Sequence, residues 1–282
     1  MFKISLEHQQ LLNERFKRIP IFLSEYTFAS IYLFRDMYKY ELLALGDKYL
    51  IRGQTQEGQK FIMPTENLSG VDISYLLEAA KDIDFIYPIP KEWTEIFTSS
   101  GAEISFNKND SDYVFKVERL STYKGQKLHS KKNLLNQFLA AYKVQALPLI
   151  KERMADAFNI LDAWQADMGE EKNKTDYFNC REALELYDDL VLCGGIYYVN
   201  NEPAGFLLGE ELNSTMFCLH FAKGKRKFKG LYQYMFNQFA NILPQKYEWI
   251  NLEQDMGILA LKTAKASYDP DVMVEKFRVK IG

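Results

Sequence analysis

Strand-like and helix-like segments alternate along the whole chain, and this order constrains the fold more than any single motif. The second half shows it best. An apolar run, Met216–Phe221, leads into a Gly- and Lys-rich turn, and Leu231 to Ile242 then carries apolar residues at helical spacing. Tyr247–Leu252 reads as the next strand and Gly257 to Ala266 as the next helix. Between residues 150 and 213, helices at Ile150 to Met168 and Asp176 to Tyr187 precede strands Leu190–Val199 and Ala204–Glu210, joined through Asn200-Asn201-Glu202-Pro203. Val272–Val279 reads as a last strand.

The first part runs in a similar order. Helices are expected over Leu6 to Arg18, ended by Pro20, and over Ser24 to Asp36. Tyr40–Leu45 and Tyr49–Arg52 flank Gly46-Asp47-Lys48 as a hairpin, and Lys60–Met63 follows as a strand. A helix at Ser74 to Asp82, a strand at 84–88 stopped by Pro88, a helix at Trp93 to Ser99 closed by Gly101 and a strand at Asp112 to Val117 complete it. Leu134 to Tyr142 is a further helix. The halves share an order of elements rather than an alignable sequence. A length of 282 residues, about twice a usual domain, then points to a duplicated unit with mixed α/β sheets, divided as residues 1–120 and 121–282.

Composition removes several classes. Apolar residues make up 47% and charged residues 26%, enough apolar mass to fold. Cys180, Cys193 and Cys218 read as free thiols, so a cytoplasmic setting is expected and a disulfide scaffold is not. The longest mainly apolar run, Leu190 to Val199, is far short of the roughly 20 residues that cross a bilayer. The first residues meet a charge too early for a signal peptide. Peripheral membrane contact and oligomeric state stay open.

The net charge of −3 conceals opposite blocks. Residues 116–153 hold nine Lys/Arg against two Glu, and residues 156–211 hold three against thirteen Asp/Glu. A second basic burst, Lys223, Lys225, Arg226, Lys227 and Lys229, lies in the turn after Met216–Phe221. Such blocks suggest a positive groove for an anion set against an acidic face, or simply solvated helix surfaces.

Three segments can carry chemistry. In the basic turn, Gly230 and Leu231 open a helix whose first amides point at the same place as the cations, a phosphate-binding arrangement without a Walker or G-x-G-x-x-G pattern. The plain alternative is a lysine-rich surface loop. In Asn251-Leu252-Glu253-Gln254-Asp255, strand alternation would aim Asn251, Glu253 and Asp255 to one face, where a carboxylate takes a proton from an attacking amine or holds an ammonium group. Asp255 can equally cap the next helix. The third segment carries Lys124, Lys127, His129, Lys131 and Lys132 between Tyr123 and Asn133, suited to a nucleic-acid backbone or to a solvated linker. Cys218 and His220 lie two apart on one strand, hence on one face, but both types are commonly buried in strands. The scattered His and Cys show no zinc spacing, so no metal is expected, nor any tightly bound cofactor.

At this point a family resemblance emerges. Tyr123-Lys-Gly-Gln-Lys-Leu-His-Ser-Lys-Lys-Asn133 with Phe138, Gly230-Leu-Tyr-Gln-Tyr-Met-Phe-Asn-Gln-Phe239, and the stretch from Asn251 to Pro270 resemble the signatures of a bacterial family of soluble proteins. That family is related to the C-terminal domain of phosphatidylglycerol lysyltransferase. The resemblance implies two tandem GNAT (acyl-CoA N-acyltransferase-like) domains, with donor phosphates at the turn after the fourth strand and the acyl group in the splay between the fourth and fifth. Here those strands would be Met216–Phe221 and Tyr247–Leu252.

The lysyltransferase relatives, like Fem-type aminoacyltransferases, use aminoacyl-tRNA as donor. The chain departs from the family in two ways. It lacks the lipid enzyme's membrane-embedded segment, and its turn lacks the Q/R-x-x-G-x-G/A pattern of ordinary GNAT enzymes. The expectation is acyl or aminoacyl transfer from acyl-CoA or aminoacyl-tRNA to an amine or hydroxyl by direct attack, with tRNA as a candidate partner. Its rival is a non-catalytic GNAT-like module that senses or carries a small ligand.

Overall fold

The computed structural model describes residues 2–281, the side chains of residues 99 and 100 excepted. The chain forms two compact units. Met1–Asp112, Gln254–Leu259 and Met273–Gly282 make the first, and Tyr113–Glu253 with Ala260–Val272 the second. A single division near residue 120 does not describe them. The chain passes back to the first unit twice, at Gln254–Leu259 and at Met273–Gly282, and the second return supplies an inner strand of that unit's sheet.

In the first unit, β1 (Phe2–Lys3), α1 (Gln9–Phe16), α2 (Phe28–Leu33), β2 (Glu41–Leu45), β3 (Lys48–Gln54), β4 (Lys60–Pro64), α3 (Ser74–Ala79), β5 (Phe85–Ile89) and β6 (Glu103–Phe106) follow in sequence. The second unit takes up β7 (Asp112–Lys116), α4 (Val117–Thr122), α5 (His129–Ala141), β8 (Val144–Pro148), α6 (Met154–Met168), α7 (Tyr177–Glu185), β9 (Cys193–Val199), β10 (Glu202–Asn213), β11 (Met216–Gly224), α8 (Leu231–Ile242) and β12 (Trp249–Asn251). The chain ends with α9 (Leu259–Ala266), β13 (Val272–Val274) and β14 (Phe277–Lys280).

The first sheet has the order β1-β2-β3-β4-β5-β14-β6. Its β4/β5 pair is parallel and its β2/β3, β3/β4 and β5/β14 pairs are antiparallel. The second has the order β13-β7-β12-β11-β10-β9-β8, with β11/β12 parallel and β10/β11, β9/β10 and β7/β12 antiparallel. Each sheet is thus mixed, as the fold class expected.

Local chemistry explains the boundaries. Asn200 and Asn201, both at positive φ (51° and 65°), form a two-residue turn, so Val199 pairs with Glu202 and Pro203 belongs to β10 rather than to the turn. Pro88 does not stop β5. The pairs Phe277–Ile89 and Val279–Ile86 leave one extra residue on β5 around Tyr87 and Pro88, and such a bulge tolerates a residue without an N–H. Helix α8 has Leu231, Tyr234, Met235, Phe239 and Ala240 buried, the helical spacing that the sequence displayed.

The core of the first unit contains a charge cluster that no sequence pattern announced. Lys276 Nζ lies 2.7 Å from Glu25 Oε1 and 2.7 Å from Asp112 Oδ1, and all three residues are buried. Asp112 also accepts from the Ser24 N–H (2.8 Å) and hydroxyl (3.1 Å). Desolvation pushes the Glu25 carboxyl up to about 7 despite the opposing pull of Lys276.

Candidate functional site

The parallel strands of the second unit set the geometry. β11 and β12 pair at Met216–Trp249, Phe217–Ile250 and Cys218–Asn251. β12 ends there, while β11 continues to Gly224 against β10. Beyond the last pair, His220 on β11 and Glu253 after β12 face each other, with His220 Nδ1 2.7 Å from Glu253 Oε1.

Two local devices make that contact. On β11, Leu219 pairs with Gly209 and Phe221 with Leu208, so His220 is the extra residue of a β-bulge. On the other side, the Asn251 side chain accepts the Glu253 N–H (2.6 Å) while Glu253 adopts φ +59°, a left-handed conformation unusual for a non-glycine residue. The Glu253 carbonyl accepts from the Tyr113 N–H (3.2 Å) and from Lys265 Nζ (3.3 Å), which fixes the corner.

His220 is held from both sides. Its Nε2 lies 3.0 Å from Glu210 Oε1, and Cys218 Sγ lies 3.9 Å from Nδ1 and 3.8 Å from Glu253 Oε1. The imidazole is fully buried, whereas Glu253 and Glu210 keep 18% and 10% of their side chains exposed. Burial alone would lower the histidine pKa. Cys218 and the two glutamates outweigh it and hold the ring protonated well above its ordinary value. The group can therefore present a carboxylate backed by an imidazolium.

The strand alternation expected for Asn251, Glu253 and Asp255 does not survive this corner. Asn251 is buried and serves as the local brace. Glu253 turns to His220. Asp255 belongs to the first unit, is buried, and accepts the Gly257 N–H (2.8 Å) in an Asx turn four residues ahead of the first residue of α9. It is thus a turn-forming residue and not the N-cap of that helix. The i, i+2 spacing of Cys218 and His220 marked those two residues, but nothing in it pointed to Glu253, 33 residues further on. The bulge and the left-handed Glu253, which complete the site, have no sequence signature of their own.

The basic turn follows directly from β11. Lys223 is buried, with Nζ 2.6 Å from Asp176 and 3.6 Å from the centre of the Trp164 ring. Lys225 and Lys227 both bind Glu202, at 2.7 Å each. The Arg226 N–H donates to Asp167 (2.9 Å). The acidic block thus meets the basic turn instead of forming a separate outer face. Arg226, Lys227 and Lys229 are exposed.

Gly230 sits at φ +96° as the N-cap of α8, and no side chain caps that end. A Cβ here would lie 2.8 Å from the Leu134 carbonyl and 2.9 Å from Phe138 Cβ, so glycine also allows α5 to pack closely. The Leu231 N–H is already taken by the Phe228 carbonyl (3.1 Å).

In the third segment, α5 begins at His129, earlier than expected, so His129, Lys131 and Lys132 form its first turn. Lys127 pairs with Asp269 (2.8 Å), Lys124 with Glu118 (3.6 Å), and His129 contacts Asn133 (3.3 Å). Lys131 bonds Ser267 (2.6 Å) and lies 4.2 Å from the centre of the Tyr268 ring. Lys132 is exposed. Among the described residues, no helix is long and apolar enough to cross a membrane.

Comparison with known proteins adds to this geometry. The family model "Phosphatidylglycerol lysyltransferase, C-terminal" matches residues 16–280. A curated relative, an uncharacterized protein of Mycoplasmoides gallisepticum, is 23% identical over 206 residues, covering 71% of this chain and 64% of its own length. The match thus spans less than two thirds of that relative.

Among solved structures, a conserved protein of unknown function from Bacteroides thetaiotaomicron superposes with a TM-score of 0.87 at 22% identity, covering 99% of this chain and 98% of the other. FemX gives 0.65 at 10% identity (99% and 96%), and a GNAT-family acetyltransferase from Colwellia psychrerythraea gives 0.52 at 10% (99% and 98%). The fold is shared with FemX and the GNAT-family acetyltransferase.

Proposed function

Because the chain belongs to the phosphatidylglycerol lysyltransferase C-terminal family, we propose that it is a GNAT-type acyl- or aminoacyltransferase working through the second unit. The donor in this reading is a phosphate-bearing molecule, aminoacyl-tRNA or acyl-CoA, and the acceptor an amine or hydroxyl. The observation that carries the reading is the end of β11/β12 pairing at Cys218–Asn251, with Glu253 just beyond it on one side and β11 running on to Gly224 and the turn that opens α8 on the other. Ligands of α/β sheets bind beyond the carboxyl ends of parallel strands, and both elements lie at those ends.

Three exposed cations, Arg226, Lys227 and Lys229, with the uncapped start of α8, would hold donor phosphate. Glu253 would accept the proton that the acceptor loses on attack, or hold an ammonium acceptor in place. His220 Nδ1 is in hydrogen-bond contact with that carboxylate and Glu210 orients the ring from Nε2, so both act as positioning residues. The acceptor attacks the donor carbonyl, the acceptor–carbonyl bond forms as the donor's ester or thioester bond breaks, and the released hydroxyl or thiol takes up a proton. A covalent enzyme intermediate is not part of the reading, because the one thiol beside the histidine, Cys218, is buried. Lys223 is left out of the donor site since Asp176 holds it in the interior.

Glu253→Gln and Arg226→Glu variants, assayed for transfer from charged tRNA and from acyl-CoA to model amines, test the assignment. Loss of turnover in the first and weakened donor binding in the second support it. Unchanged turnover in Glu253→Gln removes the base.

The second reading is a non-catalytic ligand-binding module of the same fold. The pairing of Lys225 and Lys227 with Glu202 favours it, since it leaves the turn less positive than its sequence implies. Ligand binding without transfer to any acceptor would select it.

A further inference from the structure

The cluster around His220 has the composition of a metal centre as well as that of a proton-holding site. Among the described residues, Cys218, His220 and Glu253 form the one group whose ligand atoms, a thiol sulfur, an imidazole nitrogen and a carboxylate oxygen, all lie within 4.8 Å of one another. Cys218 and His220 lie on β11 and Glu253 just after its neighbour β12, so sequence spacing alone could not reveal the group.

We propose that Cys218, His220 and Glu253 bind a thiophilic divalent cation of the zinc type, with Glu210 as the outer partner of the histidine. The distances suit it. Zinc bonds of about 2.0–2.3 Å in a tetrahedron place ligand atoms about 3.3–3.7 Å apart. The two contacts of Cys218 Sγ, 3.9 Å to His220 Nδ1 and 3.8 Å to Glu253 Oε1, are close to those edges. The Nδ1–Oε1 contact of 2.7 Å is a hydrogen bond and must widen, which a rotation of the partly exposed Glu253 side chain provides.

The remaining ring nitrogen fits the same role. Nε2 faces Glu210 Oε1 at 3.0 Å, the carboxylate–histidine arrangement that fixes the tautomer and raises the basicity of a ligating imidazole. Three protein ligands leave a fourth position for water or substrate. Thiolate with imidazole selects zinc-like ions over magnesium or calcium.

The site shares Glu253 and His220 with the transfer reading, but metal binding is measured on the protein alone, so failure of one reading is distinguishable from failure of the other. The full chain, freed of metal by a chelator, is titrated with Co2+ and Zn2+ while near-ultraviolet absorption and competition with a chromophoric chelator are followed. Stoichiometric zinc binding, and a thiolate-to-cobalt charge-transfer band that vanishes in Cys218→Ser, are expected. In Glu253→Gln and Glu210→Gln, zinc affinity is expected to fall about tenfold or more. Circular dichroism of each variant confirms that the fold is retained. Failure of the native chain to bind zinc, or a cobalt band unchanged in a folded Cys218→Ser, would overturn the proposal.

Discussion

Gly209 and Cys218 approach so closely across β10 and β11 that a Cβ on Gly209 would lie 1.9 Å from the Cys218 carbonyl oxygen. This contact sits beside the bulge that carries His220, so a missing side chain on one strand is what lets the other place an imidazole between Glu210 and Glu253. Gly209→Ala forces backbone against backbone and is expected to cost about 3 kcal/mol, near the upper end for overpacking. A denaturant midpoint measured on wild type and variant checks this, and an unchanged midpoint would show that the strands can separate there without loss.

The held proton on His220 gives stability a defined pH dependence. Its folded pKa lies well above the unfolded value of about 6.5, so its stabilisation is complete below that value and is lost as pH rises through the folded pKa. Glu25, pushed up to about 7, acts with the same sign between about 4.5 and 7. Urea unfolding from pH 5 to pH 9 should therefore show stability declining on the alkaline side. The decline above neutrality should shrink in His220→Gln, and an equal slope in both proteins would mean that a group other than His220 causes it.

Removing the buried ammonium of Lys276 takes from Glu25 and Asp112 the partner that both carboxyl groups share. Lys276→Met is expected to destabilise by about 3–5 kcal/mol, the cost of breaking a buried pair. The triple replacement Lys276→Met, Glu25→Gln, Asp112→Asn should recover part of that loss. Thermal unfolding of the single and triple variants measures it, and a neutral single variant would mean that water reaches the cluster.

The general base assignment predicts a separation between neighbours. Glu253→Gln should lower transfer about 100-fold or more while leaving the fold intact, the usual scale for a proton-accepting group. Asp255→Ala should instead lower stability by about 1 kcal/mol, since its carboxylate closes the turn at Gly257. Assaying both variants for turnover and for unfolding distinguishes the roles, and a turnover loss confined to Asp255→Ala would reverse them.

The elements that bury an apolar stripe were legible in the sequence. Leu231–Ile242 matches α8 at both ends, and the strands of the hairpin around Gly46 were placed within three residues of their ends. β6, wholly exposed along Glu103–Phe106, has no buried face to produce alternation, and β8 lies at the edge of its sheet with little buried. Both were missed for that reason. The basic turn was visible as charge, but its partners Asp176 and Glu202 lie 47 and 23 residues away from the lysines they bind, beyond any local pattern. The same holds for Lys276 and Glu25, which are 251 residues apart.

The central claim is that a polyanionic donor docks at the turn between β11 and α8. Binding of acyl-CoA and of aminoacyl-tRNA to wild type and to the Arg226→Glu, Lys229→Glu double variant, each over a range of salt, tests it most directly. One of the two donors should bind wild type. For tRNA, the logarithm of affinity should fall with that of salt by about 0.7 for each phosphate contacted, and charge reversal should lower both affinity and slope. Binding of neither donor, or binding that charge reversal leaves unchanged, would contradict it.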